Sequence, residues 1–235
     1  MIKIEGLKKK FGQVQVLDNL DLEINVGGIF AILGPNGSGK TTLIKSMLGM
    51  VIPDKGSIEI DGEDILGKYK HRENINYLPQ IANFPSNLTV QELIKMIGDL
   101  RGRKSSHEPL VEKFSLQPYL NKKLGHLSGG TRQKVNILLT FMFDSDLIIL
   151  DEPTSGLDPY SLIQLKAIIK KEKELGKTIL ITSHIISFVE EVADKIVFLL
   201  DGKIYFQGTI DELRKQTGQT NLEHAIAKIL TPKNV

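Results

Sequence analysis

Ile29-Phe30-Ala31-Ile32-Leu33 is an unbroken apolar run that leads directly into Gly34-Pro35-Asn36-Gly37-Ser38-Gly39-Lys40-Thr41-Thr42. A strand without polar residues is buried on both faces, as in a parallel sheet covered by helices on each side. The segment after it has the spacing GxxxxGKT, in which glycines let successive backbone N–H groups converge on a phosphate that side chains would obstruct. Residues 41–50 read as a helix, which directs the positive end of its dipole at the same anion. Strand, glycine loop and helix in this order restrict the chain to an α/β fold with a nucleoside triphosphate site.

Two further constellations extend that site. Lys40 supplies charge for the β and γ phosphates, and the Thr41 hydroxyl is placed for Mg²⁺. Leu147-Ile148-Ile149-Leu150 is a second doubly buried strand, and Asp151 and Glu152 follow at its carboxyl end, where ligands of open α/β sheets bind. One carboxylate there can hold Mg²⁺ through water, and its neighbour can accept a proton from the attacking water. Leu127-Ser128-Gly129-Gly130 precedes a helix expected over 131–143, a second helix start suited to an anion, although a plain helix-start turn has the same composition.

Elsewhere the pattern divides the chain. The first thirty residues alternate as strands, with Ile2, Ile4, Val14, Val16, Leu20, Leu22 and Ile24 on the apolar side. Ser57–Ile60 ends in the turn dipeptide Asp61-Gly62, and residues 76–80 read as a strand edge. From Thr89 to Phe143 the period is helical, opened by a Thr89/Glu92 capping box. Asp158 and Pro159 start another helix that Gly176 ends. Strands are expected at 178–182, 197–200 and 203–206, the last two flanking Asp201-Gly202, with a helix near 185–192. Asp211-Glu212-Leu213 opens a helical tail.

Composition removes several classes. A balance of 30 basic and 28 acidic residues, net +2, gives no concentrated charge for nucleic acid, and none is expected as a partner. With no cysteine, disulfides and thiolate metal sites are impossible. The first residues, MIKIEGLKKKFG, lack the pattern of a secretory signal, and no stretch approaches the ~20 apolar residues of a membrane helix. Any membrane work needs another chain to span the bilayer.

Taken together, these motifs resemble the ATP-binding cassette (ABC) ATPases, the nucleotide-binding subunits of ABC transporters, over nearly the whole chain. GPNGSGKTT matches the Walker A loop, Gln80 the Q-loop, LSGG the family signature and LIILDE the Walker B strand. Ser155-Gly156-Leu157-Asp158 matches the D-loop and His184 the switch histidine. The resemblance implies a P-loop NTPase (RecA-like) core over 1–80 and 144–235, with an N-terminal antiparallel β part and an inserted helical subdomain over 81–143. All of it would be one domain, 1–235.

On these positions the resemblance implies that Phe11 stacks on adenine and that Glu152 is the general base. His184 would hold the γ-phosphate and orient that base; Gln80 would touch Mg²⁺ and the attacking water. Ser128, Gly129 and Gly130 would complete the site of a second copy, in a head-to-tail homodimer around two Mg-ATP. Integral membrane permease subunits are the implied partners, holding the chain on the cytoplasmic face of the membrane. Thr131 departs from the Gln usual after LSGG.

The run Thr131-Arg132-Gln133-Lys134-Val135-Asn136 is similar to a narrower group, the ATPase of the copper-processing system for nitrous oxide reductase maturation, which adds a periplasmic accessory protein. Export of a drug, peptide or lipid is the alternative. A role in repair or translation fits less well, because too few residues separate Lys40 from Ser128 for a long coiled coil.

Overall fold

A computed structural model describes residues 1–103 and 105–230. The strands are β1 (Ile2–Phe11), β2 (Val14–Ile24), β3 (Gly28–Leu33), β4 (Lys55–Ile60), β5 (Glu63–Asp64), β6 (Ile75–Leu78), β7 (Leu147–Asp151), β8 (Thr178–Ser183), β9 (Lys195–Leu200) and β10 (Lys203–Gly208). The helices are α1 (Lys40–Met47), α2 (Val90–Arg101), α3 (Glu108–Lys113), α4 (Gly129–Phe141), α5 (Pro159–Glu174), α6 (Ile186–Val192), α7 (Ile210–Thr217) and α8 (Leu222–Leu230).

A six-stranded sheet runs β10-β9-β3-β8-β7-β6, parallel except for β10, and a four-stranded antiparallel sheet runs β2-β1-β4-β5. The apolar runs are explained by their period of two. Ile29, Ala31 and Leu33 face a core shared with α2 to α6, whereas Phe30 and Ile32 face α1 and the antiparallel sheet through Leu43, Ile44, Leu7 and Leu20. In β7, Ile148 and Leu150 join the first core and Leu147 and Ile149 the second. Both faces are dry, so no alternation survives in the sequence.

Boundaries differ from expectation where the backbone is decided locally. Helix α1 stops at Met47, three residues short of the expected end, because Gly49 adopts a left-handed φ of 61° that terminates the spiral. Helix α4 starts two residues early, because Ser128 is its N-cap and the two glycines form its first turn. Strand β6 ends at Leu78, before Pro79, which has no N–H for a ladder. The Thr89/Glu92 box is present as expected. The tail helix α7 is opened by a second capping box, Thr209 with Glu212, rather than by Asp211. Residues 231–235 of the expected helical tail lie outside the described residues.

Register places the chemistry. Leu33 pairs with Ser183, Asp151 with Thr182 and Leu78 with Leu150. The carboxyl ends of β3, β8, β7 and β6 therefore form one rim, carrying in order the glycine loop, His184, the Asp151-Glu152 pair and Gln80.

Candidate nucleotide site

The glycine loop is held by a distant hairpin. Between β9 and β10, Asp201 and Gly202 have φ values of 47° and 73°, the pair of positive angles a tight two-residue turn needs. Gly202 N–H donates to the Ser38 carbonyl at 3.1 Å, and its own carbonyl accepts from Asp18 N–H at 3.0 Å. A Cβ at Gly202 would lie 2.5 Å from the Val16 carbonyl oxygen, and one at Gly39 would lie 2.8 Å from the same oxygen. The sequence marked Asp201-Gly202 only as a turn; its seat against the loop was not foreseen.

Three observations fit this loop to a polyphosphate. Helix α1 has no side-chain cap and no acidic residue in its first turn, so its leading N–H groups and positive dipole end are directed at the loop. Ser38 Oγ is buried without a hydrogen-bond partner. Lys40 Nζ donates to the Gly34 and Pro35 carbonyls at 2.7 and 3.1 Å, and burial pushes its pKa down against the opposing charges of Glu152 and Asp151. A desolvated ammonium gains most from an arriving anion. Pro35, Asn36 and Gly37 form the exposed crest, and Thr42 follows on α1, half-buried.

The carboxylates are organised by Thr182, a residue sequence reasoning missed. Asp151 accepts hydrogen bonds from Thr41 Oγ1 at 3.1 Å and from Thr182 Oγ1. Glu152 N–H donates to both the carbonyl and Oγ1 of Thr182, at 3.2 and 3.0 Å. These bonds hold Glu152 at a φ of 51°, a left-handed conformation that costs a non-glycine residue about 1–2 kcal/mol. The Glu152 carboxylate is buried, and its Oε2 lies 2.8 Å from Nδ1 of the exposed His184. Tyr77 on β6 is pushed up to about 12 by burial and by the charge of Asp151. The available signal for Thr182 was a hydroxyl near the end of a strand that also carries Thr178 and Ser183, which reads equally as strand propensity.

Ser128, Gly129 and Gly130 form a separate group. Ser128 Oγ accepts from Thr131 N–H at 3.2 Å and lies 2.8 Å from Thr131 Oγ1. A Cβ at Gly130 would come within 2.6 Å of the Gly156 carbonyl oxygen, so Ser155-Gly156-Leu157-Asp158 packs on the start of α4. The same helix holds two more loops: Gln133 Nε2 donates to the Pro153 carbonyl at 3.1 Å, and Asn136 Nδ2 to the Pro79 carbonyl at 3.2 Å. Lys134 pairs with Asp158 at 2.6 Å, and Asp158 caps α5 through Ser161 N–H at 2.8 Å. The Lys134 hydrogen bond first, then that of Ser161 N–H, lowers the Asp158 carboxyl from 3.8 to about 2.

Because its folded pKa is depressed, Asp158 adds stability above its unfolded value that is lost as pH falls from about 4 to about 2. The pair is half exposed, so Asp158→Asn is expected to cost no more than about 1 kcal/mol from ion pairing. Melting curves between these pH values should show a shallower acid decline for Asp158→Asn than for the parent; an identical slope would refute the assignment.

Phe11 and Gln80 lie at the margins. Phe11 is 50% exposed near the β1–β2 turn, paired with Val14 two residues before Val16, and Lys9 Nζ lies 5.3 Å from its ring centre. Gln80 is exposed in a cleft of about 330 Å³ beside Phe84, Arg132 and Asn136. Among the described residues Gln80 makes no hydrogen bond to Thr41, Asp151 or Glu152, and none joins Ser128 to the glycine loop.

A family model described as ABC transporter matches residues 17–155. The chain is 35% identical over 227 residues to the lantibiotic transport ATP-binding protein SrtF of Streptococcus pyogenes, covering 95% of this chain and 94% of that protein. It is 31% identical to the daunorubicin resistance ATP-binding protein DrrA3 of Streptomyces coeruleorubidus, over 94% of this chain and 72% of the other. Among solved structures, an ATP-binding subunit of an ABC transporter superposes with a TM-score of 0.91 at 28% identity, covering 98% of this chain and all of its own. A dimeric ATP-binding cassette in a post-hydrolysis state, bound to ADP and Pi, superposes at 0.79 with 26% identity, over 89% of this chain and 98% of its own. The glycine loop, the buried acidic pair and the capped serine-glycine helix start thus sit on a shared fold, and the chain belongs to the ATP-hydrolysing, ATP-binding subunits of ABC transporters.

Proposed function

We propose that two copies of this chain close head to tail around two ATP molecules and drive an export permease. The separation of the two half-sites carries this reading. The phosphate loop, Glu152 and His184 lie together, whereas the exposed Ser128 hydroxyl caps a different helix and makes no hydrogen bond to that loop. A second protomer brings Ser128 and Gly130 to the γ-phosphate held by Lys40 of the first, while the Ser155–Asp158 loop lines the junction. The dimeric cassette related to this chain supports that arrangement.

Within each closed site Glu152 accepts the proton of the attacking water, and its 2.8 Å partner His184 fixes that carboxylate and binds the γ-phosphate. Thr41 and Asp151, already hydrogen-bonded at 3.1 Å, would hold Mg²⁺ with Gln80. When bound, the metal neutralises charge on the phosphate oxygens. Phe11 packs on adenine. ATP favours closure because contacts from both copies exist only in the closed state, and product release reverses it.

The direction of transport is supported by relatives named for Nod factor export and daunorubicin resistance, beside one named for lantibiotic transport. These cargoes share little chemistry, so the ATPase meets the permease rather than the cargo. The copper-processing system, with its periplasmic partner, is the second reading and rests on the Thr131–Asn136 run. No described helix is long and apolar enough to cross a membrane, so attachment is through permease chains.

Ser128→Arg tests the half-site reading. Its ATP affinity as a monomer should stay within about 2-fold of the parent, while ATP-driven dimerisation and turnover fall by at least ~100-fold, because the small exposed hydroxyl at the junction is replaced by a long side chain that closure has no room for. Sedimentation with ATP in a Glu152→Gln background checks dimerisation, and ATP hydrolysis with Glu152 intact checks turnover. A dimer of undiminished strength would end the proposal.

A further inference from the structure

We propose that Thr131 is a positioning residue that fixes the direction in which the Ser128 hydroxyl donates its proton. The inference rests on the assignment of Ser128 to the phosphate of a second protomer.

A serine hydroxyl has one proton and two lone pairs. Within this chain, Ser128 Oγ is met twice, by Thr131 N–H at 3.2 Å and by Thr131 Oγ1 at 2.8 Å. The N–H can only donate, so it occupies one lone pair. The Thr131 hydroxyl takes either role. If it accepts, the serine proton is spent inside the helix cap, and Oγ turns a lone pair outward. If it donates, both lone pairs are engaged, and the proton points away from the cap.

A phosphate oxygen accepts only, so the second arrangement alone attracts it. Thr131 then forms the first link of a chain in which its own O–H donates to Ser128 and Ser128 donates to phosphate, each bond polarising the next. Capping does not explain the contact. An N-cap needs only the backbone N–H at this position, which any residue but proline supplies. The side-chain bond is additional, and α4 has no acidic residue in its first turn to compete for the anion.

The test compares Thr131→Val and Thr131→Ser with Ser128→Ala and the Ser128→Ala/Thr131→Val double variant. All are made in the full chain carrying Glu152→Gln, and ATP-driven dimerisation is followed by sedimentation. Thr131→Val is expected to raise the ATP concentration for half-maximal dimerisation about 10-fold, with Thr131→Ser within about 2-fold of the parent. Melting without nucleotide should be unchanged in both. Adding Thr131→Val to Ser128→Ala should have no further effect, since the first acts through the second.

Parent-like dimerisation by Thr131→Val overturns the inference, as does an equal penalty in the Ser128→Ala background or a matching loss of nucleotide-free stability. Unimpaired dimerisation by Ser128→Ala would instead remove the reading of Ser128 itself, and this inference with it.

Discussion

Glu152→Gln is expected to lower ATP turnover by about 10³-fold while leaving ATP binding intact and accumulating a stable closed dimer. Gln is nearly isosteric, so the left-handed backbone at φ 51° and both bonds to Thr182 should survive. What disappears is an acceptor for the proton of the attacking water, since a side-chain amide cannot take it. Single-turnover hydrolysis measures the loss, and sedimentation with ATP measures the dimer. Retained turnover would mean that another group removes the proton, and a monomer with ATP bound would sever the link between closure and the uncleaved phosphate.

Gly34→Ala is the second large effect, and it acts through packing. A Cβ at Gly34 would overlap the Leu199 carbonyl oxygen and lie 2.7 Å from Ser38 Oγ. The Ser38 hydroxyl can turn aside, but the Leu199 carbonyl is backbone in the core of the sheet and cannot. The variant is expected to lose at least ~3 kcal/mol, combining overpacking with a displaced polar group, together with most of its ATP affinity. Gly37→Ala is the control, because nothing lies within 4 Å of its added Cβ, although its φ of 83° still opposes a side chain. It should cost about 1 kcal/mol and keep the core intact. Denaturant unfolding separates the two, and equal losses would show that backbone strain rather than collision governs the loop.

The legible parts of this fold were those in which one physical demand dominates a stretch of sequence. Residues 29–33, 147–150 and 178–182 read as strands because burial on both faces excludes polar residues, apart from Thr178 and Thr182 at the two ends of the last run. Thr89 with Glu92 and Asp158 with Pro159 were readable because a cap joins residues three apart or fewer. The phosphate loop, Asp151, Glu152 and His184, all marked in the sequence, lie together because each sits at or just past the carboxyl end of a strand of one sheet. Long-range geometry was hidden. Nothing local says that Gly202 supports Ser38, that Thr182 serves both acidic residues, or that Gln133 and Asn136 reach the carbonyls of Pro153 and Pro79. Each of these bonds joins segments whose partners are chosen by tertiary packing alone. The helix start at Ser128 was missed for a different reason: its two glycines have poor helix propensity, and the cap overrides it.

The position of β3 between β8 and β9 has a consequence for biosynthesis. The strand that delivers the phosphate loop is made early, yet both neighbours in its sheet emerge only after most of the polypeptide has left the ribosome. A nascent chain stalled after its acidic pair would carry the Walker A and Walker B motifs with β7 beside β6, but β3 and its loop would have neither sheet neighbour. The phosphate loop therefore gains its sheet neighbours, and its seat on the Asp201-Gly202 hairpin, only late in synthesis.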